Sequence, residues 1–303
     1  MQDTRVSVVM CTYNGENFVA EQLDSISRQT HANLEIIVVD DASTDATYSI
    51  LEKMARQDLR IHLYRNEKNI GLTKNFEKGC SLATGSFIAI ADQDDIWSEN
   101  KIATLLGHIA VSEDIIMVHA ISVRFEKFGK FNHHSTRLVN YTAGRDIRNF
   151  LLCNYISGHN MLFRKSLLAK ALPFPKTVIY DWWLAAVAVC NGRIEFVPQV
   201  LVWHRMHETN ATGKAKVKML LHKQMEEILP ELIEIPSVPV QHRNFVLRLM
   251  NHFKKLNNHS FSFPLFFFLV RHAPVLLSHK KRRFPWVSYT KHAFISSQAR
   301  FKV

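Results

Sequence analysis

The feature that most constrains the fold is an alternation of two hydrophobic periods along the first 120 residues. Short apolar runs rich in Val and Ile predict buried strands at residues 6–10, 34–39, 61–64 and 87–91. Between these runs, apolar residues recur every three or four positions, which predicts helices around residues 19–26, 50–55 and 76–83. Strands that alternate with helices form a mainly parallel sheet covered on both faces. We therefore predict an α/β fold.

The pattern is less regular from residue 115 onward. We predict a strand at residues 115–119, a short helix at 145–153, a helix at 182–189 opened by Asp181, and strands at 195–197 and 200–203. Asn14 is a suitable N-cap for the first helix. Beyond residue 214 the pattern becomes helical and basic. We therefore predict a catalytic domain at residues 1–214 and a helical C-terminal module at residues 215–303.

The charge distribution supports that division. The chain carries 38 Lys plus Arg and 27 Asp plus Glu, for a net charge of +11. Residues 1–214 contain 23 basic and 23 acidic residues, whereas residues 215–303 contain 15 and 4, so the whole excess lies in the C-terminal module. A basic module indicates an anionic partner, either a membrane surface or a nucleic acid. The chain has no recognised nucleic-acid motif, which makes nucleic acid the less favoured partner.

Several sequence features exclude other classes of protein. The four cysteines form no CxxC pair, which predicts reduced thiols in a cytosolic protein, and the N-terminus does not resemble a signal peptide. GxGxxG, Walker A and GxSxG sequences are all absent. Dehydrogenases, P-loop enzymes and serine hydrolases therefore have no support in the local motifs.

Polar clusters follow three of the predicted strands, at residues 12–14, 40–41 and 92–95. Ligands of such sheets gather at the carboxyl ends of the strands, so we expect these clusters to converge on one rim. Asp92 and Asp94 are suitable ligands for Mg²⁺ or Mn²⁺, which prefer carboxylate and phosphate oxygens. The alternative is a solvated acidic turn that caps the next helix.

Three further positions carry candidate chemistry. Asp40 or Asp41 could accept the N3–H of a uracil or thymine ring, or could cap the following helix. Asp181 precedes two tryptophans, whose apolar rings would raise its pKa and suit a general base, although it could also be an N-cap. Arg205 and His207 lie two residues apart, which places them on one face of a strand, where they could meet a diphosphate or a metal. Either could instead be structural.

With these residues in place, the N-terminal part of the chain resembles the family 2 glycosyltransferases, which have the Rossmann-like GT-A fold. The likeness covers about residues 4–213 and rests on ordered motifs at residues 6–14, 37–45, 69–71, 75–76 and 91–97. The DQDDIW sequence at residues 92–97 is most similar to the rhamnosyltransferase-like branch that builds bacterial surface polysaccharides. The QxxRW motif of processive synthases is absent, which favours the addition of a single sugar.

The resemblance implies an inverting transfer of a sugar from a nucleoside diphosphate donor, dTDP-rhamnose or a UDP-hexose, to a saccharide or lipid-linked saccharide acceptor. It implies nucleotide binding by Thr12, Tyr13, Asn14, Asp41, Asn75 and Asp92. It also implies Mn²⁺ or Mg²⁺ at Asp92, Asp94 and His207, with Arg205 and His207 facing the diphosphate in a closing segment, residues 204–210. Asp181 matches the catalytic base. The residue before that base is usually acidic, whereas here it is Tyr180.

The C-terminal module contains an apolar run at residues 261–270, which is too short for a membrane span of about 20 residues. Basic residues 280–283 follow, close to Phe284, Trp286 and Tyr289. This combination predicts peripheral binding to the anionic inner face of the cytoplasmic membrane. The alternative is a core helix with a solvated basic turn.

Two other functional classes stay open at this point. The basic module could make the chain a nucleic-acid-binding protein. A sugar nucleotidyltransferase would also use a nucleotide-binding α/β sheet, although the glycine-rich loop of that class is here reduced to Gly15.

Overall fold

The structure is a computed structural model, and it describes residues 3–127, 129–132, 136, 139–141, 143–207, 219–256 and 260–302. The predicted domain boundary near residue 214 lies outside the described residues. So do residues 208–210 of the predicted closing segment.

Four parallel strands form the first half of the sheet: β1 (Val6–Thr12), β2 (Leu34–Asp40), β3 (Ile61–Arg65) and β4 (Phe87–Ala91). Helices α1 (Val19–Ser27), α2 (Thr47–Gln57) and α3 (Leu72–Leu82) connect them. Every residue of β1, β2 and β4 is buried, which explains their continuous apolar runs. The strand order β3-β2-β1-β4 places β1 between β2 and β4. The chain therefore reverses direction across the sheet beside β1, where ligands of such sheets bind.

The second half of the sheet is mixed. Its elements are β5 (Ile96–Trp97), α4 (Lys101–Ile109), β6 (Ile115–Phe125), β7 (Phe131–Asn132), β8 (Met161–Arg164), α5 (Leu168–Ala171), α6 (Tyr180–Asn191) and β9 (Arg193–Arg205). The order continues β4-β8-β6-β9-β5, with β7 paired to β6. Strand β8 is antiparallel to β4 and β6, whereas β6 and β9 are parallel. The described strands thus form one nine-stranded sheet, and the predicted α/β fold is confirmed.

Three local predictions are wrong. The helix predicted at residues 145–153 is only a 3₁₀ turn, Ile147–Phe150, which Asp146 caps by accepting from the backbone N of Arg148. The two strands predicted within residues 195–203 are one strand, β9, whose pairing with β6 shifts register near His119 and Ile121. Pro198 lies in this shifted stretch, as expected of a residue without an N–H.

The third wrong prediction concerns Asn14. Helix α1 begins at Val19, and Phe18 is its N-cap, with no side-chain cap. Asn14 instead has φ of +49°, in the left-handed region, and its Oδ1 accepts a hydrogen bond from the backbone N of Thr44 at 2.9 Å. Its side chain therefore joins two loops rather than capping a helix.

Four helices follow in the C-terminal part: α7 (Leu221–Ile233), α8 (Val240–Leu256), α9 (Phe263–Leu276) and α10 (Pro285–Ser296). They pack on the preceding part of the protein, since one hydrophobic core contains Phe150 and Trp182 together with Met225, Leu249 and Leu269. Helix α9 contains most of the apolar run at residues 261–270. Its packing agrees with the core helix that the sequence offered as the alternative to membrane binding. No helix among the described residues is long and apolar enough to cross a membrane.

Candidate active site

The loops that follow β1, β2 and β4 are bonded to one another. The Gln93 amide pairs with the backbone of Tyr13: its Oε1 accepts from the Tyr13 N at 2.8 Å and its Nε2 donates to the Tyr13 O at 3.2 Å. The backbone N of Asn14 donates to Ser43 Oγ at 3.0 Å. A Cβ on Gly15 would lie 2.5 Å from Gln93 Oε1, so a side chain at this position would displace the Gln93 amide that is bonded to Tyr13. The predicted convergence of the three strand ends is confirmed.

The adjacent aspartates Asp40 and Asp41 are both buried and both bonded to the protein. Asp41 accepts from Asn66 Nδ2 at 2.7 Å, from the Ile70 N at 2.8 Å and from the Gly71 N at 2.9 Å. Asp41 therefore anchors the loop between β3 and α3.

Asp40 is bonded to the end of β1 and to the loop after β2. Its carboxylate accepts the hydroxyl of Thr12 at 3.1 Å and the backbone N of Ser43 at 3.0 Å. The two aspartates thus hold different loops on the same rim.

The other predicted nucleotide-binding residues differ in exposure. Asn75 is buried, donates to the Val39 O at 2.9 Å and accepts from Asn66 Nδ2 at 2.9 Å. Thr12 is also buried, whereas the Tyr13 side chain is 46% exposed. Tyr13 and Asn14 are therefore accessible to a ligand, while Thr12 and Asn75 shape the rim from below.

Asp92 and Asp95 share a histidine that the sequence analysis missed. His159 Nδ1 lies 2.9 Å from Asp92 Oδ2 and 3.2 Å from Asp95 Oδ2, and the His159 side chain is only 3% exposed. Burial alone would lower the pKa of His159, but the carboxylates of Asp95 and Asp92 raise it above its ordinary value. The backbone O of His159 also accepts the buried Lys101 Nζ at 2.6 Å. This histidine therefore ties the acidic motif to a turn 64 residues beyond Asp95.

Asp94 lies beside the end of β9. Its Oδ2 is 2.8 Å from His207 Nε2, and its backbone O accepts from Arg205 Nε at 2.9 Å. The Arg205 guanidinium lies over the rings of Phe18 and Phe125, 5.1 and 4.7 Å from their centroids. The structure therefore brings the predicted residues Asp94, Arg205 and His207 together.

Asp92, Asp94 and Asp95 form what we name the acidic rim, and this rim fits a divalent cation. Burial raises the pKa of Asp94, and repulsion between its carboxylate and the negative charge of Asp92 raises that pKa further. Asp92, Asp95 and His159 also offer ligand atoms that all lie within 4.8 Å of each other. Apart from the ion-pair contact to His159 Nδ1 at 3.2 Å, Asp95 Oδ2 has no hydrogen-bond partner among the described residues. A hard cation that prefers oxygen ligands would relieve this repulsion.

Asp181 lies in the first turn of α6, where its Oδ1 accepts from the Trp182 N at 2.6 Å. Burial, together with the nearby charge of Asp92, raises the pKa of Asp181 to about 6, although backbone N–H groups oppose the shift. The preceding Tyr180 is buried against Phe76, with ring centroids 4.3 Å apart. Tyr180 is therefore a core residue, and Asp181 is the carboxylate available at this helix start.

A cavity of about 360 Å³ opens beside Asp181. Residues 152–157, Ile179 and Trp182 line it, and Gln224 of α7 contributes from the C-terminal part. We name this space the Asp181 cavity. Its walls come from segments that are far apart in the sequence, so no local motif marked them.

Asp95, His159 and Lys101 were not predicted as site residues, and the sequence indicates some of them better than others. Asp95 belongs to the acidic motif at residues 92–95 and could have been included. His159 stands in a short turn, Gly158–Asn160, with no neighbouring pattern that indicates a site. Lys101 looks like an ordinary helical lysine, yet it is fully buried, with its Nζ 3.0 Å from the centroid of the Trp97 ring.

Comparisons with known proteins agree with this fold. An uncharacterized glycosyltransferase of Haemophilus influenzae is 29% identical over 234 residues, which are 73% of this chain and 70% of that protein. A crystal structure of S. aureus TarS in complex with UDP-GlcNAc superposes with a TM-score of 0.65 at 19% identity, over 97% of this chain and 90% of the other. The mannosyltransferase PcManGT of Pyrobaculum calidifontis, in complex with GDP-Man and Mn²⁺, gives a TM-score of 0.56 at 19% identity, over 97% and 86%.

At these identities the two solved structures show the fold alone, and that fold agrees with the predicted GT-A architecture. The rhamnosyltransferase-like branch stays a prediction. The family model for glycosyl transferase family 2 matches residues 7–172, which are more than half of the chain. The chain therefore belongs to glycosyl transferase family 2.

Proposed function

We propose that the protein transfers one sugar from a nucleoside diphosphate donor to a saccharide acceptor, with inversion at the anomeric carbon. One observation carries the proposal: the turn Gly158–Asn160 touches both halves of the site. His159 holds Asp92 of the acidic rim, and the backbone N–H of the preceding Gly158 acts on the carboxylate of Asp181, where it opposes the rise in the pKa. The donor-facing carboxylates and a carboxylate suited to act as a base are thus linked through two consecutive residues, Gly158 and His159.

The donor binds at the rim formed by the ends of β1, β2 and β4. Tyr13 and Asn14 contact the base, and Asp41 fixes the loop beside it. A dTDP- or UDP-linked sugar fits the rhamnosyltransferase-like motif. The UDP-GlcNAc bound to TarS and the GDP-Man bound to PcManGT support a nucleotide-sugar donor in general.

A divalent cation belongs at the acidic rim. Asp92 and Asp94 would hold Mn²⁺ or Mg²⁺, with His207 next to Asp94. The cation would neutralise negative charge on the departing diphosphate. Arg205, whose Nε donates to the Asp94 backbone, adds fixed positive charge to the same edge. The Mn²⁺ in PcManGT supports this assignment.

Asp181 acts as the general base. The acceptor hydroxyl gives its proton to the Asp181 carboxylate while the hydroxyl oxygen forms a bond to the anomeric carbon. The bond between that carbon and the diphosphate oxygen breaks, and the diphosphate leaves with the electron pair. The raised pKa of Asp181, about 6, makes its carboxylate a better proton acceptor while leaving it mostly ionised at neutral pH.

The acceptor, we propose, is a glycan or a lipid-linked saccharide of bacterial surface polysaccharide synthesis, such as O-antigen or capsule. The protein would act on the cytoplasmic side of the membrane and contact its anionic leaflet peripherally. All four cysteines are free, which agrees with a reducing compartment.

Replacing Asp181 by Asn tests the proposed base. We expect Asp181→Asn to lower kcat by about 100- to 10,000-fold, since general-base catalysis contributes on that order. Affinity for UDP or dTDP should stay within about twofold. The matched control is Asp24→Asn, which removes an exposed carboxylate on α1 and should transfer at the wild-type rate. Wild-type transfer by Asp181→Asn would remove this residue from the base role.

A further inference from the structure

Helices α9 and α10 pair into a structure that we name the C-terminal hairpin, residues 260–302. Phe294 of α10 lies 6.5 Å from Phe266 of α9 and 5.3 Å from Phe261, just before α9, between ring centroids. One side of α9 is buried in the core through Leu265, Leu269, Ala273 and Leu276. This packing fixes which side of the hairpin faces outward.

The outward side of the hairpin is unusually apolar. Phe263 and Phe267 of α9 are 68% and 64% exposed, and Trp286, Val287 and Phe294 of α10 are 59%, 71% and 51% exposed. Such large side chains, exposed along two paired helices, provide apolar area of the kind that marks an interaction site. By contrast, Leu59 and Val111 are exposed singly on other elements.

The same segment is strongly cationic. Residues 260–302 contain eight Lys plus Arg and no Asp or Glu. Lys281, Arg282 and Arg283, in the turn between the helices, are exposed. Burial, and then neighbouring cations such as Lys280, lower the pKa of His279 and His292 to about 4, so both imidazoles are neutral at pH 7. The positive charge therefore comes from Lys and Arg.

Exposed aromatic side chains beside a cluster of cations match an anionic lipid leaflet. Rings of Phe and Trp enter the boundary between headgroups and acyl chains, while Lys and Arg remain at the charged headgroups. Each basic residue near such a surface adds to the attraction, and the attraction weakens with salt. Nucleic acid would use the charge, but it gives no role to an aliphatic side chain such as Val287.

The basic turn also lies against the wall of the Asp181 cavity. His279 Nε2 is 3.4 Å from Cys153 Sγ, and the His279 ring stacks on Tyr155 with centroids 5.6 Å apart. Cys153 and Tyr155 both line the Asp181 cavity. The backbone N of Asn140 donates to the His279 O at 2.7 Å and further fixes the turn.

We infer that the C-terminal hairpin is a membrane-docking surface for an anionic leaflet, and that docking holds the Asp181 cavity beside the bilayer. A saccharide carried on a lipid would then reach Asp181 without leaving the membrane. The docking surface stands on its own observations. The orientation of the cavity rests on the proposed transferase function.

Vesicle sedimentation of the full chain tests the docking surface. We expect binding to phosphatidylcholine vesicles that contain phosphatidylglycerol, weaker binding at high salt, and little binding to phosphatidylcholine alone. Phe263→Ser/Phe267→Ser and, separately, Arg282→Glu/Arg283→Glu should each weaken binding about tenfold or more, since two anchoring groups are lost. Matched controls are Leu59→Ser for exposed apolar area and Lys53→Glu/Arg56→Glu for charge reversal on α2, and both should bind as wild type does.

The outcomes separate docking from catalysis. Each variant is also titrated with UDP and dTDP, and unchanged nucleotide affinity and an unchanged melting temperature show that its fold and donor site are intact. Wild-type protein that fails to sediment with anionic vesicles overturns the inference, as do hairpin variants that bind like wild type. Salt-dependent binding of an RNA oligonucleotide in place of vesicles would assign the cationic surface to nucleic acid. If the wild-type protein binds neither UDP nor dTDP, this result counts against the proposed function but not against the docking surface.

Discussion

We name the ends of β1, β2 and β4 the donor rim. The donor rim and the Asp181 cavity are held in place by different kinds of contact. The rim comes from loops that directly follow parallel strands, and hydrogen bonds such as those between Gln93 and Tyr13 lock these loops together. The cavity comes from irregular segments around residues 152–157, the start of α6 and Gln224 of α7. The rim is therefore positioned by sheet topology, whereas the cavity is positioned by packing between distant parts of the chain.

This difference has a functional meaning. A rim fixed by the sheet suits the part of the substrate that related enzymes share, the nucleoside diphosphate. A cavity walled by loops and a C-terminal helix varies with little cost to the sheet, so it suits the acceptor, which differs from one enzyme to another. Mutations on the two sides should therefore have different consequences.

A large effect on kcat should come from the rim. We expect Asp94→Asn to lower kcat by about 100- to 1000-fold, because it removes a charge aimed at the cation and diphosphate in the transition state. A transfer assay over a series of Mn²⁺ concentrations would also show a higher requirement for metal. Asp24→Asn again serves as the control. A normal rate and a normal metal requirement would exclude Asp94 from the donor site.

The pH profile examines the cavity side. Because Asp181 must be ionised to accept a proton, kcat should fall by about tenfold per pH unit below about pH 6, the pKa to which burial and Asp92 raise Asp181. The measurement is kcat from pH 4.5 to 8 at saturating donor. A rate that stays constant down to pH 4.5 would contradict the assigned pKa and role.

Substitutions in the two regions should also change the free energy of unfolding by different amounts, and these changes should be smaller than the effects on kcat. Asp41→Ala removes three hydrogen bonds to the loop between β3 and α3, and a hydrogen bond to a charged group contributes about 1.5–3 kcal/mol when buried and less when exposed, so the free energy of unfolding should drop by at least about 1 kcal/mol. Gln224→Ala, on the cavity wall, should change it by less than about 0.5 kcal/mol. Urea denaturation of both variants gives the comparison. Equal losses would show that the cavity is as rigidly built as the rim.

The same contrast explains what the sequence could predict. Asp92, Asp94 and Asp181 could be predicted as site residues because strand ends and helix starts are visible as changes of hydrophobic period. His159 was missed because its role depends on β8 lying beside β4, a long-range pairing with no local signal. The exposure of Phe263 and Phe267 was also invisible, since an apolar run does not show which of its faces packs on the core. Asn14 was assigned to a cap because Asn at a helix start is common, whereas the loop contact to Thr44 is particular to this rim.

The most direct test of the account is calorimetric titration of UDP and dTDP into the protein, with Mn²⁺ and with EDTA. We predict that at least one nucleotide binds in the presence of Mn²⁺, that EDTA or Asp94→Asn weakens this binding by tenfold or more, and that Asp181→Asn leaves it unchanged. Binding that ignores both EDTA and Asp94→Asn, or the absence of binding by either nucleotide, would contradict a metal-dependent donor site at the acidic rim.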